Sequence, residues 1–219
     1  MLRAVDISSH QAGIYIPGLD CDVVIIKATG GTGYMNPYWR EWADAVLGSG
    51  KLLGLYHYAM EWGDYNDSLA EADYFCDEIG DFFGRCVPIL DFEADAQSLP
   101  VSWALKWMER VGGRTGSTPM FYAYASYLNS RSHAELTRWP LWMASYLNKY
   151  QGAGWVDNPD NIWPTGDWPG MTMYQYTSSG YIGGYDGPLD LSVFYGERGD
   201  WEALIRDDLD PAEIWGYKL

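Results

Sequence analysis

The sequence is poor in basic residues. Its 219 residues include 14 lysines and arginines against 30 aspartates and glutamates, which gives a net charge of −16. Because nucleic acids bind to basic surfaces that neutralise their phosphates, this composition argues against a nucleic-acid partner. The acidic residues are dispersed along the chain, which is typical of a solvated surface.

Cysteine and histidine are scarce, with three of each. The cysteines are odd in number and form no CxxC pair: Cys21, Cys76 and Cys86. We therefore expect reduced, buried thiols and neither a disulfide framework nor a zinc site. No apolar run is long enough to span a membrane, so no membrane insertion is expected. Because MLRAVDISSH lacks the apolar core of a secretory signal, we expect synthesis in the cytoplasm.

Aromatic residues are abundant, with 12 tryptophans and 18 tyrosines. They can fill a core or stack on sugar rings. Eight apolar segments predict buried strands at 2–8, 22–29, 51–59, 86–93, 118–125, 140–146, 171–177 and 189–194. Helical periodicity predicts helices at 37–48, 67–79, 101–111, 126–138 and near 201–205. Ser68 and Glu71 fit a capping box, and Gly112 with Gly113 is expected to end the third helix.

The order of these segments predicts an α/β fold. Strands and helices alternate up to residue 140, which indicates a parallel sheet covered by helices. Helical patterns then stop, and residues 147–170 read as a long loop or irregular hairpin. Two architectures fit: a barrel whose later helices are missing, and a doubly wound open sheet.

Acidic residues stand where several of these strands end. In PILDFEAD (88–95), Asp91 and Glu93 are two residues apart and therefore project from the same face of a strand. Asp6 and Asp190 lie at the ends of two other strands, so the four carboxylates could converge on the mouth of a barrel. A single aspartate of this kind can simply cap a helix. Paired like charges instead raise one pKa, which is typical of functional sites.

This pair suits the cleavage of glycosidic bonds, which requires a protonated carboxylic acid. Glu93, beside a charged Asp91, is placed to be that acid. The two Cα atoms would be about 6.6 Å apart at a rise of about 3.3 Å per residue, and both side chains leave from one face. They could not easily flank a glycosidic bond, which favours a route in which Asp91 orients a substrate N-acetyl group that attacks the anomeric carbon.

Seven short motifs, each weak alone, follow one another along the chain. They are VDISSHQ (5–11), VVIIKATGGTGY (23–34), GLYHYA (54–59), PILDFE (88–93), PLWMASY (140–146), MYQYTSSGYIGG (173–184) and LDLSVFYG (189–196). Together they resemble glycoside hydrolase family 25, the Chalaropsis-type muramidases. The resemblance implies a single-domain, irregular TIM-like (β/α)5(β)3 barrel at 1–199, followed by a short helix and tail at 200–219. It also implies hydrolysis of the β-1,4 bond between N-acetylmuramic acid and N-acetylglucosamine in peptidoglycan, with no metal or cofactor.

The resemblance also implies roles for individual residues. Glu93 matches the general acid/base and Asp91 its partner carboxylate, while Asp6 and Asp190 match acids that line the pocket and orient the acetamido group, a water or Glu93. The implied substrate-binding residues are Tyr56, Tyr58, Tyr122, Trp142, Tyr146, Gln175 and Lys27. For the aromatic residues the alternative is filling of the barrel, and for Lys27 it is an ion pair with an acid of the pocket. His57 alternates away from the pocket and is expected to pack against the helices.

Other readings remain open from the sequence. No wall-binding module is recognisable, and the acidic surface offers no attraction to an anionic Gram-positive wall. These features favour a phage or prophage endolysin that is released through a separate pore-forming protein, a holin. The alternatives are a catalytically silent glycan-binding module on the same barrel, a chitinase-like hydrolase and, less favoured, a metal-dependent deacetylase or amidase. Retention or inversion at the anomeric carbon also stays open.

Overall fold

The computed structural model describes residues 1–60 and 67–208. Within these ranges the strands are Leu2–Ile7 (β1), Val23–Gly30 (β2), Tyr34–Met35 (β3), Leu52–Tyr58 (β4), Val87–Asp91 (β5), Met120–Tyr124 (β6), Leu141–Ala144 (β7), Met173–Gly180 (β8) and Leu189–Phe194 (β9). All eight predicted strands are present, and the two-residue strand β3 is additional.

The sheet closes into a barrel of eight strands. β1 pairs with β2 in parallel on one side and with β9 in antiparallel on the other, which joins the two ends of the sheet. β9 is also antiparallel to β8, whereas the other neighbouring barrel strands are parallel. β3 extends the edge of β2 outside the ring. The TIM-like barrel is therefore confirmed, and the open sheet is wrong.

The helices surround the first part of the barrel. They are Trp39–Gly48 (α1), Ser68–Ile79 (α2), Val101–Thr115 (α3), Ala125–Leu128 (α4) and Arg198–Arg206 (α5). The connection from β1 to β2 consists of 3-10 turns instead of an α-helix. Between β7 and β9 the fully described chain contains no α-helix, which confirms the predicted loss of helices after residue 140.

Both faces of the parallel strands are buried. On β2, Ile25 packs in the barrel interior and Ile26 packs in the layer between barrel and helices. All eight residues of this strand are buried, which explains why it reads as a continuous apolar run. Each such aliphatic side chain contributes roughly 1.5–3 kcal/mol of hydrophobic stabilisation.

Helix α5 covers the end of the barrel opposite the pocket described below. Its Trp201 is fully buried, lies edge-on to Phe194 with ring centroids 5.2 Å apart, and donates Nε1–H to the carbonyl of Leu53 at 3.3 Å. The helix begins at Arg198, two residues before the predicted boundary. Residues 209–219 of the predicted tail lie outside the described part of the chain.

Three local helix predictions are wrong. Helix α3 runs through both glycines and ends at Thr115, and the following Gly116, with φ of +64°, supplies the left-handed cap. The helix predicted at 126–138 is reduced to α4 and a 3-10 turn at Ala134–Leu136. The cap of α2 is Asp67, whose carboxylate accepts from the backbone of the first turn, while Glu71 is buried and bonds elsewhere.

No helix in the described residues is long and apolar enough to cross a bilayer. The three cysteines are free thiols, with Cys76 and Cys86 buried as expected and Cys21 half-buried.

Candidate active site

A cavity of about 330 Å³ opens at the end of the barrel where the parallel strands finish. All the residues predicted for the site line it: Asp6, Lys27, Tyr56, Tyr58, Asp91, Glu93, Tyr122, Trp142, Tyr146, Gln175 and Asp190. The convergence of side chains from separate strand ends, which the sequence predicted, is therefore confirmed as geometry.

The barrel closure places two of the acids side by side. Asp6 on β1 and Asp190 on β9 are register partners across the antiparallel pair. Asp91 is the last residue of β5 and is buried, and Glu93 follows it in extended backbone with φ of −133°. The predicted strand 86–93 thus ends two residues early, but its extended course keeps both acids on the pocket.

Gln175 is the centre of the hydrogen bonding beside Asp6. Its Nε2 donates to Asp6 Oδ1 at 2.8 Å, and its Oε1 accepts from the hydroxyls of Tyr122 and Tyr146 at 2.8 and 2.5 Å. Burial raises the pKa of both tyrosines, so both remain protonated donors at neutral pH. This arrangement orients the amide of Gln175 with its nitrogen towards Asp6.

The aromatic residues differ in how much surface they offer to a ligand. Tyr122 and Trp142 are almost fully buried, with ring centroids 4.6 Å apart, and Trp142 Nε1 donates to Ser192 Oγ at 3.1 Å. Tyr56 and Tyr146 are half-buried at the cavity wall. The first two therefore fill the barrel beneath the pocket, while the others expose ring surface to it.

Lys27 is the one lysine or arginine among the cavity-lining residues in the described part of the chain. Its Nζ lies 4.4 Å from the ring centroid of Tyr58 and 5.0 Å from that of Tyr34, so the ammonium sits between two aromatic faces. Tyr34 is held in turn by a 3.0 Å hydrogen bond between its hydroxyl and Ser9 Oγ.

The environments of three acids change their proton affinity. Burial raises the pKa of Glu93, while a hydrogen bond from Tyr58 and the charge of Lys27 lower it. Burial and then the charge of Glu93 raise the pKa of Asp190 to about 6. Burial and then Asp190 hold the pKa of Asp6 well above its ordinary value, against the hydrogen bond from Gln175.

These shifts change one expectation from the sequence. The repulsion from Asp91 was expected to raise the pKa of Glu93, but desolvation by burial is the main cause. No group of three His, Cys, Asp or Glu side chains within residues 1–60 and 67–208 is arranged to hold a metal ion.

The cavity also contains residues that the sequence analysis did not select: Ser8, His10, Tyr124 and Ser178. Alternation along β6 could have identified Tyr124, which is two residues after Tyr122. Ser8 and His10 belong to the VDISSHQ motif, just beyond β1. Ser178 follows an irregularity in the pairing of β8 after Gln175, so simple alternation does not predict its direction.

A closed barrel whose mouth combines four carboxylates with half-buried tyrosine rings provides the carboxyl groups that cleavage of a glycosidic bond requires. The sequence model of the Glycosyl hydrolases family 25 matches residues 5–185, and the chain belongs to this family.

Individual relatives agree with this assignment. The chain is 31% identical over 216 residues to the N,O-diacetylmuramidase of Chalaropsis sp, covering 88% of this chain and 95% of the relative. It is 28% identical to the lysozyme of Streptococcus phage Cp-7, covering 80% of this chain but 50% of that protein.

The fold agrees as well. The bacterial lysozyme from Streptomyces coelicolor superposes with a TM-score of 0.78 at 24% identity, covering 95% of this chain and 98% of that structure. The protein is thus a family 25 lysozyme, a glycoside hydrolase of the muramidase class that acts on peptidoglycan.

Proposed function

We propose that the enzyme cleaves the β-1,4 bond between N-acetylmuramic acid and N-acetylglucosamine, with Glu93 as general acid/base. The observation that carries this proposal is the setting of Glu93. Its carboxyl faces the cavity, its pKa is raised by burial, and Tyr58 and Lys27 limit that rise. An acid of this kind can hold a proton for the leaving oxygen and release it during the reaction.

In the proposed reaction, Glu93 protonates the glycosidic oxygen while the carbonyl oxygen of the substrate N-acetyl group attacks the anomeric carbon. Water then opens the cyclic intermediate as Glu93 takes back a proton. Asp91 is buried at the end of β5, two residues from Glu93 and on the same cavity. This position supports a role in orienting the N-acetyl group instead of attack from the opposite face of the sugar.

The remaining residues would bind and orient the substrate. Asp6 and Asp190, adjacent across β1 and β9, would position the acetamido group or the attacking water. Gln175 would help to fix Asp6, and the rings of Tyr56 and Tyr146 would contact the sugar faces.

End-group analysis tests the proposal. Purified Gram-positive walls are digested, reduced with borohydride and hydrolysed, and the new sugar alcohol is identified. We expect muramitol from the native protein and none from Glu93→Gln, with Glu41→Gln as a control because Glu41 is exposed on α1. Glucosaminitol would show that the other glycosidic bond is cut. Binding of wall fragments without any cleavage would favour the silent glycan-binding module.

The anomer of the first product tests the assisted route. Attack by the N-acetyl group followed by water leaves the β-anomer, so proton NMR of the initial product should show it. An initial α-anomer would contradict participation of the N-acetyl group and would require a direct attack by water.

We also propose an endolysin role, in which the enzyme accumulates in the host cytoplasm and reaches the wall through a holin. Its likeness to lysozymes of two Streptococcus phages supports this role. Producing cells should remain intact until the membrane is permeabilised by a co-expressed holin or by chloroform, and then lyse. Lysis at the same rate without either treatment would contradict the proposal.

A further inference from the structure

A buried polar network lies behind the pocket, between β2, β4 and α2. His57 Nδ1 is 2.8 Å from Thr29 Oγ1, and His57 Nε2 is 2.9 Å from Glu71 Oε2. All three residues have no exposed surface. The imidazole is therefore tied on both nitrogens, to a barrel strand on one side and to a helix on the other.

Stability alone does not account for this network. Burying a histidine and a carboxylate removes both from water, and well-packed apolar residues in their place are often equally stable. His57 also packs against Trp107 and Phe75, with ring centroids 5.6 and 5.7 Å away, so an apolar residue would find partners here. Net stability is therefore a weak explanation for this pair, and its contacts at the end of β4 point to a second role.

Glu71 has a second contact with the same strand end. Its Oε2 also accepts from the backbone N–H of Met60 at 3.0 Å, and Met60 has the left-handed φ of +63°. This conformation is unfavourable for a residue with a Cβ and persists where surrounding contacts hold it. One carboxylate oxygen thus holds residues 57 and 60, on either side of Tyr58.

Tyr58 connects this end of β4 to the pocket. Its side chain points to the opposite face from His57, lies under the ammonium of Lys27 and lines the cavity together with Glu93, whose pKa the Tyr58 hydroxyl lowers. Its register partner on β5 is Asp91, and its carbonyl accepts from Gly31 N at 3.0 Å. Because successive side chains alternate, fixing the rotation of His57 about the strand also fixes the direction of Tyr58.

We propose that His57 and Glu71 are positioning residues that hold the end of β4 so that Tyr58 is aimed at Glu93. Through Tyr58 they set the ease with which Glu93 donates its proton, without touching substrate. This inference rests on the proposed role of Glu93.

The test compares Glu71→Gln with Tyr58→Phe. Both should lower kcat about 10-fold on soluble glycan strands while KM changes little, since small misplacements of catalytic groups are costly. Both should also move the alkaline limb of the kcat/KM profile upwards by about 0.5 to 1 pH unit, because Glu93 loses a hydrogen bond that favours its charged form. Lys27, Asp6, Asp91 and Asp190 also line this cavity and stay unchanged in both variants.

The double variant Glu71→Gln/Tyr58→Phe sharpens the test. If Glu71 acts through Tyr58, the alkaline limb of its kcat/KM profile should move no further than that of Tyr58→Phe alone. Glu78→Gln is the control on the same helix, outside the network, and should behave like the native protein. If Glu71→Gln does not fold, Thr29→Val removes only the hydroxyl that bonds to Nδ1 and should give a smaller shift in the same direction. Thermal unfolding monitors the folded fraction of each variant.

The outcomes separate the two levels of the argument. The alkaline limb could move in Tyr58→Phe but stay in place in folded Glu71→Gln and Thr29→Val. This result would overturn the positioning role and leave the proposed function intact. Full activity in Glu93→Gln overturns the proposed function and this inference together. A uniform loss of activity in Glu71→Gln, matched by a loss of folded protein and an unmoved limb, assigns the network a purely structural role.

Discussion

The two sides of the pocket hold their carboxylates in different surroundings. Beside Glu93 stand the ammonium of Lys27 and the hydroxyl of Tyr58, both of which favour the ionised acid. The main influences on the pKa of Asp6 and Asp190 include no cation, although Lys27 lines the same cavity. Both acids on this second side are raised in pKa by burial, and Asp6 further by Asp190.

This difference supports a division of labour within the proposed mechanism. An acid that must give and recover a proton needs opposing influences on its pKa, which Glu93 has. The two buried acids on the neighbouring strands β1 and β9 instead form a polar surface whose carboxyl groups can accept hydrogen bonds, and can donate them when protonated. The Asp6–Asp190 side, bonded to the amide of Gln175, suits orientation of a neutral acetamido group or a water.

Among the substitutions that test this difference between the two sides, Asp190→Asn is expected to have the largest effect. We expect activity to fall by about 100-fold or more, because the carboxylate proposed to orient the substrate is lost. At the same time we expect the protein to become more stable at pH 7 by roughly 1 to 3 kcal/mol, because a desolvated acid is removed. The two opposite changes would mark Asp190 as a residue kept for function.

The pH dependence of that stability follows from the raised pKa. Asp190 has a pKa of about 6 in the folded protein against an ordinary value of 3.8, so ionisation is disfavoured by folding. Its destabilising contribution is absent below about pH 4, grows through about pH 6 and persists above. Urea unfolding at pH 4 and pH 7 should therefore show a gain only at pH 7. Asp44→Asn, at an exposed position on α1, should show no gain.

Lys27→Met, on the Glu93 side of the pocket, is expected to have a smaller effect and would sharpen the comparison. Removing the ammonium takes away an interaction that lowers the pKa of Glu93, so the alkaline limb of kcat/KM should move upwards. We expect kcat to fall about 10-fold, through loss of the electrostatic environment at the acid. Lys27→Arg should largely restore the limb, since it keeps the charge. An unmoved limb in Lys27→Met would show that the two sides do not differ in this way.

The sequence predicted the barrel and the convergence of the acids because both follow from periodicity. Strands buried on two faces read as apolar runs, and Asp91 and Glu93 mark where one of them reaches the cavity at the barrel mouth. Parallel strands bring their carboxyl ends together, so acids far apart in the chain meet at one mouth. The family motifs then indicated which of these residues belong to the site.

Other features depend on tertiary contacts that no local pattern contains. Ser68 and Glu71 have the spacing of a capping box, yet Asp67 is the cap and the carboxylate of Glu71 turns inwards to His57. The amide of Gln175 is oriented by hydroxyls from β6 and the segment after β7, which are adjacent only in the closed barrel. The pKa of Glu93 is governed by burial, which the spacing of acids along the chain does not reveal.

The smallest predicted effect concerns backbone strain on the Glu93 side of the pocket. Ala94 follows Glu93 with a left-handed φ of +47° and is exposed. Ala94→Gly should relieve strain of about 1 kcal/mol. Because glycine also gives the unfolded chain more freedom, part of this gain is lost, and the net stabilisation should be below about 1 kcal/mol. Because Glu93 is then held less firmly, kcat should fall by less than about tenfold.

Ala96→Gly provides the matched control, since Ala96 is buried two residues further on and its φ is not positive. It should lose at least about 0.5–1 kcal/mol, because glycine adds chain entropy without relieving strain. Urea unfolding of both variants measures the difference. If Ala94→Gly were destabilised as much as Ala96→Gly, the backbone after Glu93 would hold no strain, and the two sides of the pocket would differ only in charge and burial.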